Sequence, residues 1–202
     1  MLRDDFEKAK KFLDNSSVIA FPTETVMGLG VYFDDEKAIK RLNEIKRRPP
    51  DKPYSLMLSN SSEIERYAYV DERAKKVIKV FMPGEITILL KVKENVPEVV
   101  TLGTGVIGIR VPNLPELLEF LSYIEKPLWV PSANRSGEKP ALNSEEVKDI
   151  FGEEVGYVFS GSSKGGVPST LVDLTGKEVK IYREGNIKLN DILEVIRRDL
   201  WK

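Results

Sequence analysis

The chain has 202 residues, of which 41% are hydrophobic, so it is long enough to bury a substantial core in one large domain. Its 31 Lys and Arg residues nearly balance its 32 Asp and Glu residues, and a net charge of −1 provides no overall field that would attract nucleic acid or membranes. The sequence contains neither Cys nor His, which excludes thiol nucleophiles, disulfides, histidine general bases and the usual transition-metal sites.

The sequence shows no pattern typical of a membrane or secreted protein. No stretch approaches the roughly 20 consecutive apolar residues that a membrane-spanning helix requires. The first five residues, Met-Leu-Arg-Asp-Asp, lack the apolar core of a signal peptide. We therefore predict a cytoplasmic protein that makes no membrane contact.

The first part of the chain predicts a helix followed by two short strands. Asp4 or Asp5 can cap the helix, because an Asp side chain accepts hydrogen bonds from the first helical turn. Apolar runs at residues 18–21 and 31–33 predict buried strands. The loop between them, residues 22–30, is rich in hydroxyls and glycines and suits a binding site at the end of a strand.

A second helix, capped by Asp34 or Asp35, leads into a cluster of cations before a strand at residues 55–58. Residues 46–53, here called the basic loop, contain four Lys or Arg side chains and three prolines. Each proline fixes φ and prevents the helix from continuing, so the charges lie on a stiffened loop. The pattern predicts a phosphate-binding clamp, although any single cation taken alone is better explained as a surface charge paired with an acid.

The middle of the chain predicts a helix and two strands. Asp71 caps the helix, and residues 86–92 alternate between apolar and other side chains, which is typical of a half-buried strand. Residues 106–111 predict another strand, which places Arg110 near its end.

The last part of the chain continues the mixture of helices and strands. Its predicted elements are a helix opened by Pro115, a strand at 127–130, a polar loop at 131–137, a helix capped by Asn143, a strand at 157–160, a Gly/Ser loop at 161–168, a hairpin of strands 170–174 and 179–183, and a final helix over 192–200. No internal repeat or linker interrupts this order. We predict an α/β protein with a mixed sheet in a single domain.

Several polar residues are candidates for chemistry. Arg110, Arg135 and Arg183 lie near the ends of predicted elements, and their planar guanidinium groups suit phosphate or carboxylate oxygens. The loops at 23–25 and 132–134 offer hydroxyls, an amide and backbone N–H groups to a small polar ligand. From spacing alone, turn and cap formation explains these two loops better.

Two further groups have weaker patterns. The Gly-rich stretch at 161–170 would wrap a ligand or serve as a plain connection, and composition does not separate these alternatives. The carboxylates Glu24, Asp51 and Asp173 have no spacing that selects a metal cage, so we predict no metal site formed by the protein alone. Pairing with neighbouring cations is the simpler role for each.

Together these segments resemble the YrdC-like family, the L-threonylcarbamoyladenylate synthases, over residues 14–185. Seven motifs of that family occur here in order: P-T-[DE]-T-x-x-G-L-G at 22–30, K-x-R and K-P at Lys46, Arg48, Lys52 and Pro53, P-G-x-x-T at 83–87, G-[IV]-R-[VI]-P at 108–112, S-A-N-x-S-G at 132–137, S-T-[IV]-V-D at 169–173 with Leu171 at the third place, and R-x-G at 183–185. Each motif alone is weak, but seven in order are specific.

The resemblance implies a twisted mixed sheet, parallel and antiparallel, with flanking helices and an open, basic concave face. We expect one such domain over residues 1–202, with a C-terminal helix in residues 186–202. Longer members of the family carry an extra C-terminal domain, and we expect none here because only a short segment follows Gly185.

The resemblance also implies a reaction in which ATP, L-threonine and bicarbonate or CO2 give threonylcarbamoyl-AMP and pyrophosphate, with Mg²⁺ accompanying ATP. The product would serve threonylcarbamoyladenosine modification of tRNA, with threonylcarbamoyl-transfer proteins as partners and tRNA as a ligand of the local basic face. The matched positions for ATP are Lys46, Arg48, Ser132, Asn134 and Arg183. Those for threonine or its carbamate are Thr23, Lys52, Arg110 and Ser169, and the resemblance gives catalytic roles to Lys46, Arg48 and Lys52.

Two departures concern the amino-acid pocket. Met27 occupies the place where the family usually has Tyr, and Met57 the place where longer members often have His. The pocket beside them is therefore expected to be more apolar than is usual in the family.

Two other functions stay open from the sequence. The same cations would suit an RNA- or tRNA-binding relative that does not adenylate, although the near-neutral net charge argues against it. A carbamoyl-adenylate-forming domain, as in hydrogenase-maturation proteins, is less well supported. Those proteins carry zinc-binding cysteine segments and an acylphosphatase unit that this chain lacks.

Overall fold

The computed structural model describes residues 3–47 and 54–198, without the side chains of residues 3, 99 and 100. Its α-helices are α1 (Arg3–Asp14), α2 (Glu36–Lys46), α3 (Glu72–Phe81), α4 (Glu98–Thr101), α5 (Pro115–Ile124), α6 (Ser144–Phe151) and α7 (Leu189–Arg197). Two short 3₁₀ helices cover Ser61–Arg66 and Gly152–Glu154.

The strands are joined in one sheet. They are β1 (Ile19–Phe21), β2 (Gly28–Tyr32), β3 (Ser55–Met57), β4 (Ala68–Tyr69), β5 (Ile86–Val92), β6 (Val106–Arg110), β7 (Leu128–Val130), β8 (Tyr157–Val158), β9 (Thr170–Asp173) and β10 (Lys180–Arg183). Their order across the sheet is β10-β9-β5-β6-β3-β7-β2-β1-β8, and β4 pairs with β5 outside this path. The pairs β1–β8, β3–β6 and β5–β9 are parallel and the others antiparallel, so the predicted mixed α/β sheet is confirmed.

Alternation along the strands separates the two faces of the sheet. On β1, Ala20 packs into a core cluster shared with α2, α3, α6 and α7, while its neighbour Ile19 packs into a second cluster with α1 and α5. This second cluster extends only as far as Met57 on β3. Leu89 on β5 and Leu171 on β9 are partly exposed and belong to neither cluster. The helices therefore leave the part of the second face around these two residues open.

One row of side chains crosses this open part of the sheet. The pairing register aligns Leu128, Met57, Arg110, Thr87, Leu171 and Arg183 in order across β7, β3, β6, β5, β9 and β10. Ile88 on β5 pairs with Ile109 on β6, and the next residues on these two antiparallel strands are Thr87 and Arg110, which therefore lie opposite each other. An irregularity between Ile181 and Arg183 on β10 keeps Arg183 opposite Leu171. The sheet thus brings residues far apart in sequence to one line.

Helix caps follow the predicted residues in three cases. The side chains of Asp35, Asp71 and Asn143 accept backbone N–H groups in the first turns of α2, α3 and α6. Asp4 and Asp5 differ from the prediction, because they lie inside the first turn of α1, which already includes residue 3. There they still oppose the positive end of the helix dipole.

Short elements were not predicted from the sequence. These are β4, α4 and the two 3₁₀ helices, each too short to show a hydrophobic period. β2 also begins earlier than expected, at Gly28, inside the stretch predicted as a loop. A Cβ atom on Gly30 would lie 2.6 Å from the ring of Phe21, so glycine is needed where β2 passes β1.

None of the helices within the described ranges is long and apolar enough to cross a membrane.

Candidate active site

A pocket of about 170 Å³ opens on the uncovered face of the sheet. Five residues predicted from the sequence contribute to its lining: Thr23, Arg110, Ser132, Ser169 and Arg183. They come from two strands and from loops at three different strand ends. The fold therefore gathers predicted ATP residues and predicted threonine residues around one cavity.

Arg110 is held in the pocket by two neighbouring residues. Its Nη2 atom donates to Thr25 Oγ1 at 2.9 Å and forms an ion pair with Glu24 Oε1, also at 2.9 Å. Glu24 Oε1 also accepts the backbone N–H of Asn113 at 3.0 Å. Glu24 Oε2 and Arg110 Nε are buried and have no hydrogen-bond partner within the described part of the chain. Thr25 and Glu24 thus fix the orientation of Arg110, which lines the pocket.

Arg183 approaches Arg110 from the edge of the sheet. Its Nε donates to the carbonyl of Ser169 at 2.8 Å, and its Nη2 lies 3.3 Å from Ser169 Oγ. Burial, and then the positive charge of Arg110, lower the pKa of Arg183 below its usual range. Two guanidinium groups that repel each other in this way favour an anionic ligand between them.

Hydroxyl groups complete this polar side of the pocket. Ser169 Oγ and Thr87 Oγ1 lie 2.9 Å apart and share one hydrogen bond, so one of the two hydroxyl protons is left for a ligand. Both residues are almost fully buried. Together with Arg110 and Arg183 they form a site suited to a carboxylate.

Thr23 shapes the loop after β1. Its Oγ1 donates to the carbonyl of Val26 at 2.8 Å, lies 2.9 Å from Thr25 Oγ1 and accepts the N–H of Thr25. Its own backbone N–H donates to Ser163 Oγ at 3.1 Å. The Thr23 hydroxyl is therefore occupied within the loop, and the residue lines the pocket mainly by its position.

Lys46 is buried, which the sequence did not predict. Only 2% of the residue is exposed, and its Nζ donates to the carbonyls of Ser132 and Asn134 at 2.6 and 2.7 Å, with Asn134 Oδ1 at 3.4 Å. Its own carbonyl accepts the N–H of Ser136 at 2.8 Å. Lys46 thus fastens the end of α2 to the loop after β7.

The loop after β7 is closed by its own side chains as well. Ser132 Oγ donates to Asn134 Oδ1 at 2.6 Å, and Asn134 Nδ2 donates to the carbonyls of Arg135 and Glu138. Asn134 is buried and does not line the pocket, whereas Ser132 does. This turn chemistry was the alternative that spacing favoured, and it coexists with a place at the pocket wall.

The remaining predicted residues lie either outside the described residues or away from the pocket. Arg48, Asp51 and Lys52 lie outside the described residues. Arg135 is not at the pocket: its guanidinium stacks 4.8 Å from the ring centre of Phe151, donates to the carbonyls of Ile45 and Ile150, and pairs with Glu154. Arg47 is exposed beyond the C-terminus of α2.

The opposite wall of the pocket is apolar. Met27 and Met57 are buried and line it together with Val130. Met57 stands beside Arg110 in the row that crosses the sheet. A ligand whose anionic end meets Arg110 would therefore place its uncharged part against these side chains.

Four residues in or behind the pocket were not predicted from the sequence in the roles that they have. Glu24 was considered only as a general partner for cations, and the roles of Thr25 and Ser163 were not identified. Ser55, which lines the pocket, was also missed. Strand alternation could have identified Ser55, since it lies two residues from Met57 and so on the same face of β3.

Comparison with known proteins gives one family. The sequence model of the Sua5/YciO/YrdC family, described as "Telomere recombination", matches residues 11–185. A threonylcarbamoyl-AMP synthase of Pyrococcus abyssi is 35% identical over 190 residues, which are 93% of this chain and 56% of the relative. A putative threonylcarbamoyl-AMP synthase of Methanocaldococcus jannaschii is 36% identical over 187 residues, 92% of this chain and 88% of the relative.

Solved structures agree with the fold. The structure of P. abyssi Sua5 in complex with L-threonine superposes with a TM-score of 0.90 at 34% identity, covering 95% of this chain and 57% of that protein. Escherichia coli YciO superposes with a TM-score of 0.86 at 28% identity, covering 93% and 92%. The chain thus spans little more than half of the P. abyssi protein and most of the other two.

Proposed function

This chain belongs to the Sua5/YciO/YrdC family, and on that premise we propose that it is an L-threonylcarbamoyladenylate synthase. The observation that supports this most strongly is that Thr23, Arg110, Ser132, Ser169 and Arg183 line the same pocket. It offers a carboxylate site formed by two guanidiniums beside a polar loop. P. abyssi Sua5, with the same fold, has been solved with L-threonine bound.

In the proposed reaction, the threonine nitrogen attacks CO2 and loses a proton to form a carbamate; starting from bicarbonate, the same carbamate forms with loss of water. One carbamate oxygen then attacks the α-phosphorus of ATP, and the bond from that phosphorus to the bridging oxygen of pyrophosphate breaks. The products are threonylcarbamoyl-AMP and pyrophosphate. Neither step requires a covalent nucleophile on the protein, in keeping with a chain that has neither Cys nor His.

Arg110, Arg183 and Ser169 would bind and orient threonine. We place its carboxylate near the Arg110 guanidinium and the Ser169 hydroxyl, where charge-assisted hydrogen bonds are strongest. Glu24 and Thr25 keep Arg110 in place from behind. Fixed orientation of two bound reactants is the main catalytic contribution that such a site can make.

The nucleotide would lie along the loop after β7. Ser132 and Asn134 are its proposed partners there, with Arg183 and the basic-loop residue Arg48 on its charged groups. The other basic-loop cation, Lys52, is assigned to threonine or its carbamate. Lys46 would act on ATP through this loop as well as by its charge, because it holds both the Ser132 and the Asn134 carbonyl. Preorganised positive charge near the phosphates would stabilise the leaving pyrophosphate.

Mg²⁺ is proposed only as a companion of ATP. Within the described ranges, no group of three or more Asp or Glu side chains is placed to hold a metal ion. Mg²⁺ commonly binds through substrate phosphates and water with few protein ligands, and there it neutralises phosphate charge. We therefore assign no residue of this chain to the metal and no reaction step to it.

The proposal is tested by pyrophosphate release. Incubation with ATP, L-threonine, bicarbonate and Mg²⁺ should release pyrophosphate and form threonylcarbamoyl-AMP, identified by its mass. Omission of threonine should abolish both products. Pyrophosphate release that does not require threonine, or none under any condition, contradicts the proposal.

The product would be consumed by transfer of the threonylcarbamoyl group to tRNA, and we propose that the protein acts in the cytoplasm with a transfer protein as its partner. The RNA-binding alternative is distinguished by a tRNA mobility-shift titration at several salt concentrations. Tight, steeply salt-dependent binding of tRNA without affinity for ATP would favour that alternative.

A further inference from the structure

Beside Arg110, the open face of the sheet has a notch at Gly108. A Cβ atom on Gly108 would lie 3.2 Å from Ser55 Oγ, 3.2 Å from Leu89 Cδ2 and 3.4 Å from Thr87 Cγ2. One hydroxyl and two methyl groups thus bound the same small volume. We call these four residues the Gly108 notch. Gly108 precedes Arg110 by two residues on β6, so the notch and the guanidinium share one face of the sheet.

The hydroxyl of Ser55 is the polar group of this notch that is left for a ligand. Within the described ranges it forms no hydrogen bond, and it lies at the pocket wall. The nearby hydroxyl of Thr23 is engaged with Val26 and Thr25, and that of Thr25 with Arg110. A buried or half-buried hydroxyl without a partner gains from a ligand that supplies one.

The placement of the carboxylate decides which part of the substrate reaches the notch. The proposed function, on which this inference rests, puts the carboxylate at Arg110 and Ser169. Ser55 lies about 7 Å along β3 from Met57, the neighbour of Arg110 in the row. The side chain of a bound amino acid can therefore extend from Arg110 over Gly108, which has no side chain to block it.

We propose that the Gly108 notch recognises the side chain of L-threonine, with Ser55 as the residue that distinguishes threonine from valine. The Ser55 hydroxyl bonds the threonine hydroxyl, while the Thr87 and Leu89 methyl groups contact the threonine methyl. Valine has the same shape, but it places a methyl group against Ser55 and leaves the Ser55 hydroxyl without a hydrogen-bond partner. An apolar wall alone, such as Met27 and Met57 provide, rejects such an isostere only weakly.

The test measures pyrophosphate release that depends on the added amino acid, and it compares kcat/KM for L-threonine with that for L-valine. In Ser55→Ala we expect kcat/KM for threonine to fall about five- to tenfold, the loss associated with one neutral hydrogen bond, while that for valine stays the same or rises. Ser62→Ala, which removes an exposed hydroxyl in a 3₁₀ helix away from the pocket, is the matched control and should leave both values unchanged.

A second variant tests the same geometry without removing Ser55. Gly108→Ala places a methyl group 3.2 Å from Ser55 Oγ, so it should reduce the preference for threonine over valine in the same direction. If Ser55→Ala does not fold, the threonine preference of Gly108→Ala still tests the proposal.

The possible results separate the two proposals. If the wild type is active but both Ser55→Ala and Gly108→Ala keep its preference for threonine over valine, the role of Ser55 is overturned and the synthase function is not. The same holds if kcat/KM falls equally for both amino acids in these variants. A wild type that does not prefer threonine to valine overturns it too. A wild type inactive with every amino acid overturns the synthase function, and the notch proposal with it.

Discussion

Arg110 is held by two oxygen atoms of neighbouring residues, and this determines what it can offer to a ligand. Thr25 Oγ1 and Glu24 Oε1 share its Nη2 atom, and both ionic side chains are nearly buried. A buried ion pair contributes little net stability, yet removal of one partner leaves an uncompensated charge. Binding and folding are therefore coupled at this residue and can be separated by paired substitutions.

Arg110→Gln should lower the free energy of unfolding by about 3 kcal/mol, because it leaves the Glu24 carboxylate buried without its cation. Arg110→Gln combined with Glu24→Gln should regain much of that loss, since no buried charge remains. Threonine binding should be lost in both variants. Urea unfolding gives the stabilities and calorimetric titration the affinities; equal stability of the single and double variants would contradict the account.

Lys46→Ala should weaken ATP binding by about 1.5 to 3 kcal/mol, the range of a charge-assisted hydrogen bond. It should also lower the free energy of unfolding by about 2 kcal/mol, because the carbonyls of Ser132 and Asn134 would lose a buried donor. Calorimetric titration and urea unfolding measure the two effects. Lys40→Ala, an exposed position on the same helix, is the control and should change neither. Unchanged ATP affinity in Lys46→Ala would contradict its assignment to the nucleotide site.

At the scale of elements, the Gly/Ser loop before β9 is packed against the loop after β1. A Cβ atom on Gly165 would lie 2.6 Å from the carbonyl oxygen of Glu24 and 3.0 Å from the Cα atom of Thr25. The next residue, Gly166, donates its N–H to the Thr25 carbonyl at 2.9 Å. The loop that sequence composition left as either a connection or a wrapping segment thus supports the residues behind Arg110.

Gly165→Ala should push these two loops apart and shift Thr25 and Glu24, the partners of Arg110. We expect the threonine KM to rise about tenfold, since small displacements in a site are costly, and the free energy of unfolding to fall by about 1 to 3 kcal/mol. Gly176→Ala, in the turn between β9 and β10, is the matched control because its nearest atom would be 4.0 Å away. Steady-state kinetics and urea unfolding that show no difference between the two variants would contradict this packing role.

At the scale of the whole molecule, the fold keeps one helical layer on one face and a partial layer on the other. α1 and α5 cover the β1, β2 and β7 side, and the strands β5, β6 and β9 are left open on that face. Substrates can reach a site on this open face directly. Because the site exists only in the folded chain, bound substrates add to the stability of the folded state by mass action.

Saturating ligands should therefore raise the melting temperature. At 100 times its Kd, α,β-methylene-ATP adds about 2.7 kcal/mol to the free energy of unfolding, which corresponds to a shift of roughly 5 to 10 °C for a chain of this size. L-threonine should add a further shift in wild type and none in Arg110→Gln. Scanning calorimetry measures this; a threonine shift that persists in Arg110→Gln would place threonine elsewhere.

Much of the fold could be predicted from the sequence because its signals are local. The structure confirms the helix starts predicted from the caps Asp35, Asp71 and Asn143. It also confirms the strand predicted from the alternation of residues 86–92. β4 and α4 could not be predicted, because two or four residues show no period and form through contacts with distant parts of the chain. The resemblance to the family implied a twisted mixed sheet with flanking helices, but the order of the strands was not predicted, because local signals do not contain it.

The sequence by itself determined which reactive groups exist, which strand or helix carries most of them, and the family to which the chain belongs. Only the tertiary structure decided that Lys46 is buried against backbone carbonyls, that Arg135 contacts Phe151 and Glu154, and that the Ser55 hydroxyl lies beside Gly108. The physical reason is that burial and hydrogen-bond partners depend on strand register. Register joins residues such as Met57, Arg110 and Arg183 that no sequence period connects.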